Sequence, residues 1–151
     1  MKEKHFFELL GFENISLLID YDDLELKYIG KQGEFFDDSE KQERINFAYE
    51  ILKNPLKRLE YFFLLKKFES TQEADHEFLE NFFELNEEIE NLVDKNELNK
   101  FYQRFLNEMK EILEKIEFLF NEKNLDKSKI NKLYTQAKYV NRILENHFNY
   151  K

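Results

Sequence analysis

Ile45-Asn46-Phe47-Ala48-Tyr49-Glu50-Ile51-Leu52-Lys53-Asn54-Pro55-Leu56-Lys57-Arg58-Leu59-Glu60-Tyr61 is the stretch on which the fold turns. Ile45, Ala48, Tyr49 and Leu52 recur three and four residues apart, the spacing that gathers side chains on one face of an α-helix. Ser39 is the expected cap of that helix, because its hydroxyl can accept from a free amide of the first turn. Asn54-Pro55 ends it and opens another: proline is tolerated in a first turn, where its missing N–H would have had no partner. Leu56, Leu59, Tyr61, Phe62, Phe63, Leu64 and Leu65 then furnish the apolar side of the second helix.

Working outward toward the N-terminus, Phe6, Phe7, Leu9, Leu10 and Phe12 predict one short helix ending at Gly11, which accepts positive φ. Asp20 caps the next predicted helix, which carries Leu24, Tyr28, Phe35 and Phe36, with Asp22 and Asp23 favoured by the helix dipole near its start. Gly30 and Gly33 weaken it, each by up to about 1 kcal/mol relative to alanine. Four helices are thus expected by residue 67. The polar run from Glu69 to Asp75 reads as a boundary.

Beyond the boundary three periodic segments follow. Phe78, Phe82, Leu85, Ile89 and Leu92 form the first stripe. Leu98, Phe101, Phe105, Met109, Ile112, Ile116 and Leu119 form the second, with Asp94 and Glu97 as its capping arrangement. Ile130, Leu133, Ala137, Val140, Leu144 and Phe148 form the third, capped by Asp126. Short links between amphipathic helices predict an antiparallel three-helix bundle. The expected protein is therefore all-α, with one helical unit over residues 1–69 and a bundle over residues 75–151.

Composition agrees. Three Gly and one Pro are too few for the turns of a sheet protein, while 17 Phe and 8 Tyr supply a core in a chain that is 36% charged. With no Cys, disulfides, thiolate metal sites and Cys nucleophiles are excluded. A net charge of −9 opposes nucleic acid and anionic lipid, both of which need a basic face. The start of the chain lacks an apolar signal core and no segment reaches the length of a membrane span, so a cytoplasmic protein is expected.

Chemistry is not encoded in any recognisable motif. No Gly-rich phosphate loop, Gly-x-Ser-x-Gly or His-Glu-x-x-His occurs, so no catalytic residue, cofactor or metal is expected. His5, His76 and His147 are scattered and read as surface residues. The acidic pairs, which could in principle hold a metal, read as a charged helix surface. More informative are apolar groups off the buried stripes. Leu79 and Phe83 lie four residues apart beside the Phe78/Phe82 stripe, with Glu80, Glu84 and Glu87 along the neighbouring surface. Tyr139, at about 100° per residue, points nearly opposite the Ile130/Leu133/Ala137/Val140 face and should be substantially exposed. Together these suggest a strip on which another protein docks.

Over nearly its whole length the sequence resembles the HscB family. The most specific part is the opening stretch, in which Pro55-Leu56-Lys57-Arg58-Leu59-Glu60-Tyr61 looks like the family's Pro-Leu-x-Arg-x-Glu-Tyr segment. Phe6-Phe7-Glu8-Leu9-Leu10-Gly11 resembles its first helix, Glu77-Phe78-Leu79 with Phe83-Glu84-Leu85-Asn86-Glu87-Glu88-Ile89 the start of its C-terminal bundle, and Ala137-Lys138-Tyr139-Val140 its last helix. The resemblance implies a J-domain co-chaperone of iron-sulfur cluster assembly. Such a protein has no catalysis of its own and brings an IscU-type scaffold protein to a DnaK/HscA-type ATPase chaperone. It also implies scaffold contacts at Leu79, Phe83, Glu84, Glu87 and Tyr139.

One departure bears on that role. Where the family's second helix ends in Tyr-His-Pro-Asp-Lys, this chain has Phe35-Phe36-Asp37-Asp38-Ser39, so Phe36-Asp37-Asp38 replaces His-Pro-Asp. The second helix carries Asp20, Asp22, Asp23, Glu25 and Glu34 against Lys27 and Lys31, whereas a J domain presents a basic face to its ATPase. Little or no stimulation of ATP hydrolysis is expected. The alternative expectation is a non-catalytic helical interaction or regulatory protein that has lost J-domain activity.

Overall fold

Helix starts in this chain are set by short polar side chains that accept from otherwise free amides. The computed structural model describes residues 4–71 and 76–148. Those residues form α1 (Phe6–Leu9), α2 (Tyr21–Glu34), α3 (Ser39–Lys53), α4 (Pro55–Leu65), α5 (His76–Glu90), α6 (Lys95–Phe120) and α7 (Lys127–Phe148), with no strand among them. Asp20 caps α2, Asn54 caps α4 with Pro55 in the first turn, and Asp94 caps α6. Asp126 accepts from the Lys129 amide at 3.1 Å at the start of α7. Gly11 follows α1 at φ 90°.

Two boundaries differ from expectation. The cap of α3 is Asp38, whose carboxylate accepts from the Lys41 amide at 3.2 Å, and Ser39 is already the first helical residue. Asp38 accepts better than a hydroxyl there because its negative charge also meets the positive end of the helix dipole. Phe35 and Phe36 fall outside α2, which ends at Glu34 with Phe35 as its C-cap. Gly30 and Gly33 sit on the open side of α2, where an added Cβ meets nothing within 4 Å. Gly30→Ala is therefore expected to stabilise the chain by up to about 1 kcal/mol in urea unfolding, because it lowers backbone entropy in the unfolded state without strain in the folded one.

Contacts divide the chain into two compact units, Met1–Phe68 and Glu69–Lys151. In the first, Phe7, Leu10, Leu24, Ile45, Ala48, Tyr49 and Leu52 close into one core. Two residues of the opening stretch tie its periphery down. The Tyr61 hydroxyl accepts from the Phe6 amide at 2.9 Å while its ring stacks on Phe6 at 4.3 Å, which fixes the start of α1. The Arg58 guanidinium, itself buried, donates to the Leu17 carbonyl (3.0 Å), the Leu52 carbonyl (2.7 Å) and the Tyr21 hydroxyl (3.1 Å).

Tyr49 donates to Glu25 at 2.9 Å and stacks on Tyr28 at 4.0 Å, joining α3 to α2. Burial, and next the bond to Glu25, push its phenol up to about 12. Burial also raises Tyr61. Both groups are held in the neutral form more firmly in the fold than in the unfolded chain, whose phenols ionise near pH 10. Both contributions are intact below pH 10 and are lost as pH rises above it, that of Tyr49 between about 10 and about 12. Urea midpoints measured across that window should fall for the native sequence and fall less for Tyr49→Phe.

The second unit is built on α7. Its buried residues include Ile130, Leu133, Ala137, Val140, Ile143 and Leu144, a face wide enough to meet both α6 and α5. From α6 come Phe105, Met109, Ile112, Leu113 and Ile116, and from α5 Phe82 and Ile89. Asn131, buried on α7, accepts from the Thr71 amide at 2.9 Å. No described helix is long and apolar enough to cross a membrane.

Candidate partner-binding site

The α5 helix has three sides. Phe82 and Ile89 are buried, Glu80, Glu84 and Glu87 are exposed, and Leu79 and Phe83 run along the line where the apolar and acidic sides meet. Phe83 is 64% exposed, as its position off the stripe predicts. Leu79 is half-buried, less open than expected for a flank position.

Tyr139 corrects the sequence reading. Its ring is half-buried, 4.9 Å from Phe82 and 6.0 Å from Phe78, with the Arg142 guanidinium 5.6 Å over it. The Ile130/Leu133/Ala137/Val140 stripe marks the most buried line of α7 and does not say how far its contact face extends to either side. The helix packs on both α6 and α5, and Tyr139 lies on the side that meets α5. Phe82 is the link between the expected residues: it touches Tyr139 on one side and, 5.8 Å edge-to-face, Phe83 on the other. Phe83 and Tyr139 are therefore joined through Phe82, while Leu79, Glu84 and Glu87 lie elsewhere on α5, the two glutamates exposed.

His147 also departs from expectation. It is half-buried, and its Nε2 lies 2.6 Å from Asn86 Oδ1, so the end of α7 is clasped to α5. His5 is half-buried too: its Nδ1 accepts from the Glu8 amide at 3.2 Å and caps α1. His76 is exposed. Among the described residues, no group of three or more His, Asp or Glu is placed to hold a metal ion.

A cavity of about 270 Å³ lies between α5 and α6, with Leu85 and Phe105 on its walls and Val140 and Ile143 of α7 as its floor. Sequence reasoning missed it, since period alone does not say how far apart two apolar stripes stand. Nor does the local sequence around Arg58 signal that its cation is buried.

The turn between α2 and α3 holds Phe36-Asp37-Asp38. Phe36 is 77% exposed and Asp37 is exposed. Asp38 is occupied by the α3 amide, and Lys41 Nζ lies 3.9 Å from its second oxygen.

Residues 74–146 match the family described as the HSCB C-terminal oligomerisation domain. The structure is similar to that of chaperone HscB from Vibrio cholerae, with a TM-score of 0.69, 24% identity and 94% of each chain covered. No curated protein matches the sequence. Residues 74–146 thus match the HscB C-terminal family, and over nearly all its length the chain has the fold of an HscB.

Proposed function

We propose that the protein is an HscB-type co-chaperone of iron-sulfur cluster assembly, with a J-domain-like unit over residues 1–69 and a scaffold-binding bundle over residues 75–151. The bundle holds an IscU-type scaffold on Leu79, Phe83, Glu84, Glu87 and Tyr139, and the N-terminal unit meets a DnaK/HscA-type ATPase. The chain carries no catalysis of its own and works in the cytoplasm. The observation that best supports this reading is Phe83, a large ring left open to solvent beside a packed Phe82–Tyr139 layer and bordered by carboxylates. Such a ring is the type of anchor that a partner covers. Capture of the full chain on immobilised, purified IscU-type scaffold tests the assignment. Saturable binding is expected, and no binding at micromolar concentrations overturns it.

A second reading is favoured by the α2–α3 turn. Asp38, the one residue kept from His-Pro-Asp, is used up as a helix cap, and an exposed Phe36 stands in place of the histidine. On this reading the chain binds its scaffold without driving the ATPase. Steady-state ATP hydrolysis by a DnaK-type chaperone is expected to rise little or not at all on adding the protein. Acceleration equal to that given by an intact J protein would contradict this.

A further inference from the structure

We propose that the outward side of α2 is a docking surface for a basic, amphipathic helical segment of a partner protein. The inner side of α2 is accounted for, since Leu24 is buried and Tyr28 packs against the core. The outer side is not. Leu26 and Ile29 are 70% and 58% exposed, and Phe36, just past the helix, is 77% exposed. Leu26, Ile29 and Gly33 follow one another at three and four residues, the spacing of a seam on one helix face, and nothing overhangs Gly33. From Leu26 to Gly33 this seam runs about 10 Å, roughly two turns of a helix, and exposed Phe36 lies just beyond its end.

Charge selects the partner. Asp22 stands four residues before Leu26 and seven before Ile29, on the same face, and is exposed, as is Asp37 just past the end of the helix. The two lysines of α2 do not offset them there. Lys27 lies over the Phe12 ring at 5.3 Å and 3.6 Å from Asp23, and Lys31 pairs with Glu34 at 3.3 Å. An apolar strip edged by carboxylates fits a segment with leucine-like residues on one side and lysine or arginine on its flanks. A second copy of this chain would set Asp22 and Asp37 against their own kind, and nucleic acid or anionic lipid would be repelled.

The probe is a fluorescent synthetic peptide of roughly five helical turns, with Leu at i, i+3, i+4 and i+7 and Lys elsewhere, titrated with the full chain and read by anisotropy. A matched peptide with Glu for Lys is the control. Binding of the basic peptide is expected to weaken about tenfold or more in Leu26→Ser/Ile29→Ser and several-fold in Asp22→Asn/Asp37→Asn. Leu26 and Ile29 are exposed, so the thermal midpoint of that pair should nearly hold, while Asp22→Asn/Asp37→Asn should lower it slightly because Asp22 sits at the positive end of the α2 dipole. Phe83→Ala should bind the peptide like the native chain, which keeps this result separate from the scaffold site. Equal binding of the acidic peptide, or undiminished binding by Leu26→Ser/Ile29→Ser, overturns the proposal. So does self-association of the native chain that the same pair of substitutions abolishes.

Discussion

Arg58→Met is expected to lower the stability of the chain by about 2–4 kcal/mol, because two buried carbonyls lose their donor at once. The Leu52 carbonyl lies in the last turn of α3, where no amide four residues on is available within the helix. Arg58 reaches it at 2.7 Å from the next helix and places a positive charge at the negative end of the α3 dipole. The same guanidinium holds the Leu17 carbonyl at 3.0 Å, so the loop before α2 is fastened by it too. Lysine does not rescue the loss, since a single ammonium cannot reproduce the planar fork that serves two carbonyls and the Tyr21 hydroxyl together. For a unit of this size the thermal midpoint, followed by circular dichroism, should fall by roughly 10 °C or more. An unchanged midpoint for both variants would show that the arginine network contributes nothing net.

The second large effect is on binding. Phe83→Ala is expected to weaken capture of an IscU-type scaffold by about 2 kcal/mol, roughly 30-fold, while leaving the unfolding midpoint nearly unchanged. Its ring is 64% exposed in the free chain, so removing it opens no cavity. In a complex the same ring would lose all its water, and that difference is where the energy lies. Tyr139→Ala does not isolate binding, since it also strips a neighbour from Phe78 and Phe82. Tyr139→Phe keeps the ring layer and reports on the hydroxyl alone. Glu84→Gln and Glu87→Gln should act chiefly on the association rate and its dependence on salt, as charges at the rim of an interface do. Native-like affinity of Phe83→Ala for the scaffold would remove α5 from the proposed surface.

The helices were legible because their signals are local. Asp20, Asn54, Asp94 and Asp126 announce starts through chemistry that involves only the next few residues, and each caps where the sequence predicts. The α3 start was misread by one position because Asp38 and Ser39 are both able to cap and adjacent. The carboxylate's charge and the path of the α2–α3 turn together decide between them. Phe83 could be read as exposed, since α5 meets its neighbours on one side. Tyr139 could not: a third helix was expected, but a periodic stripe does not record on which side of α7 it packs, and Tyr139 lies on the side that meets α5. The burial of Arg58 is illegible for the same reason, since Leu17 lies 41 residues away along the chain.

The three helices of the second unit are not equally fastened. α7 lies against α6 along an extended seam, whereas α5 meets α7 over a shorter stretch, at the Phe82–Tyr139 layer and the Asn86–His147 clasp. Backbone amides of α5 should therefore exchange with solvent sooner than those of α6 or α7. A protein seated on Leu79 and Phe83 would act on α5 as a splint, so that holding the cargo also stiffens the helix that carries it.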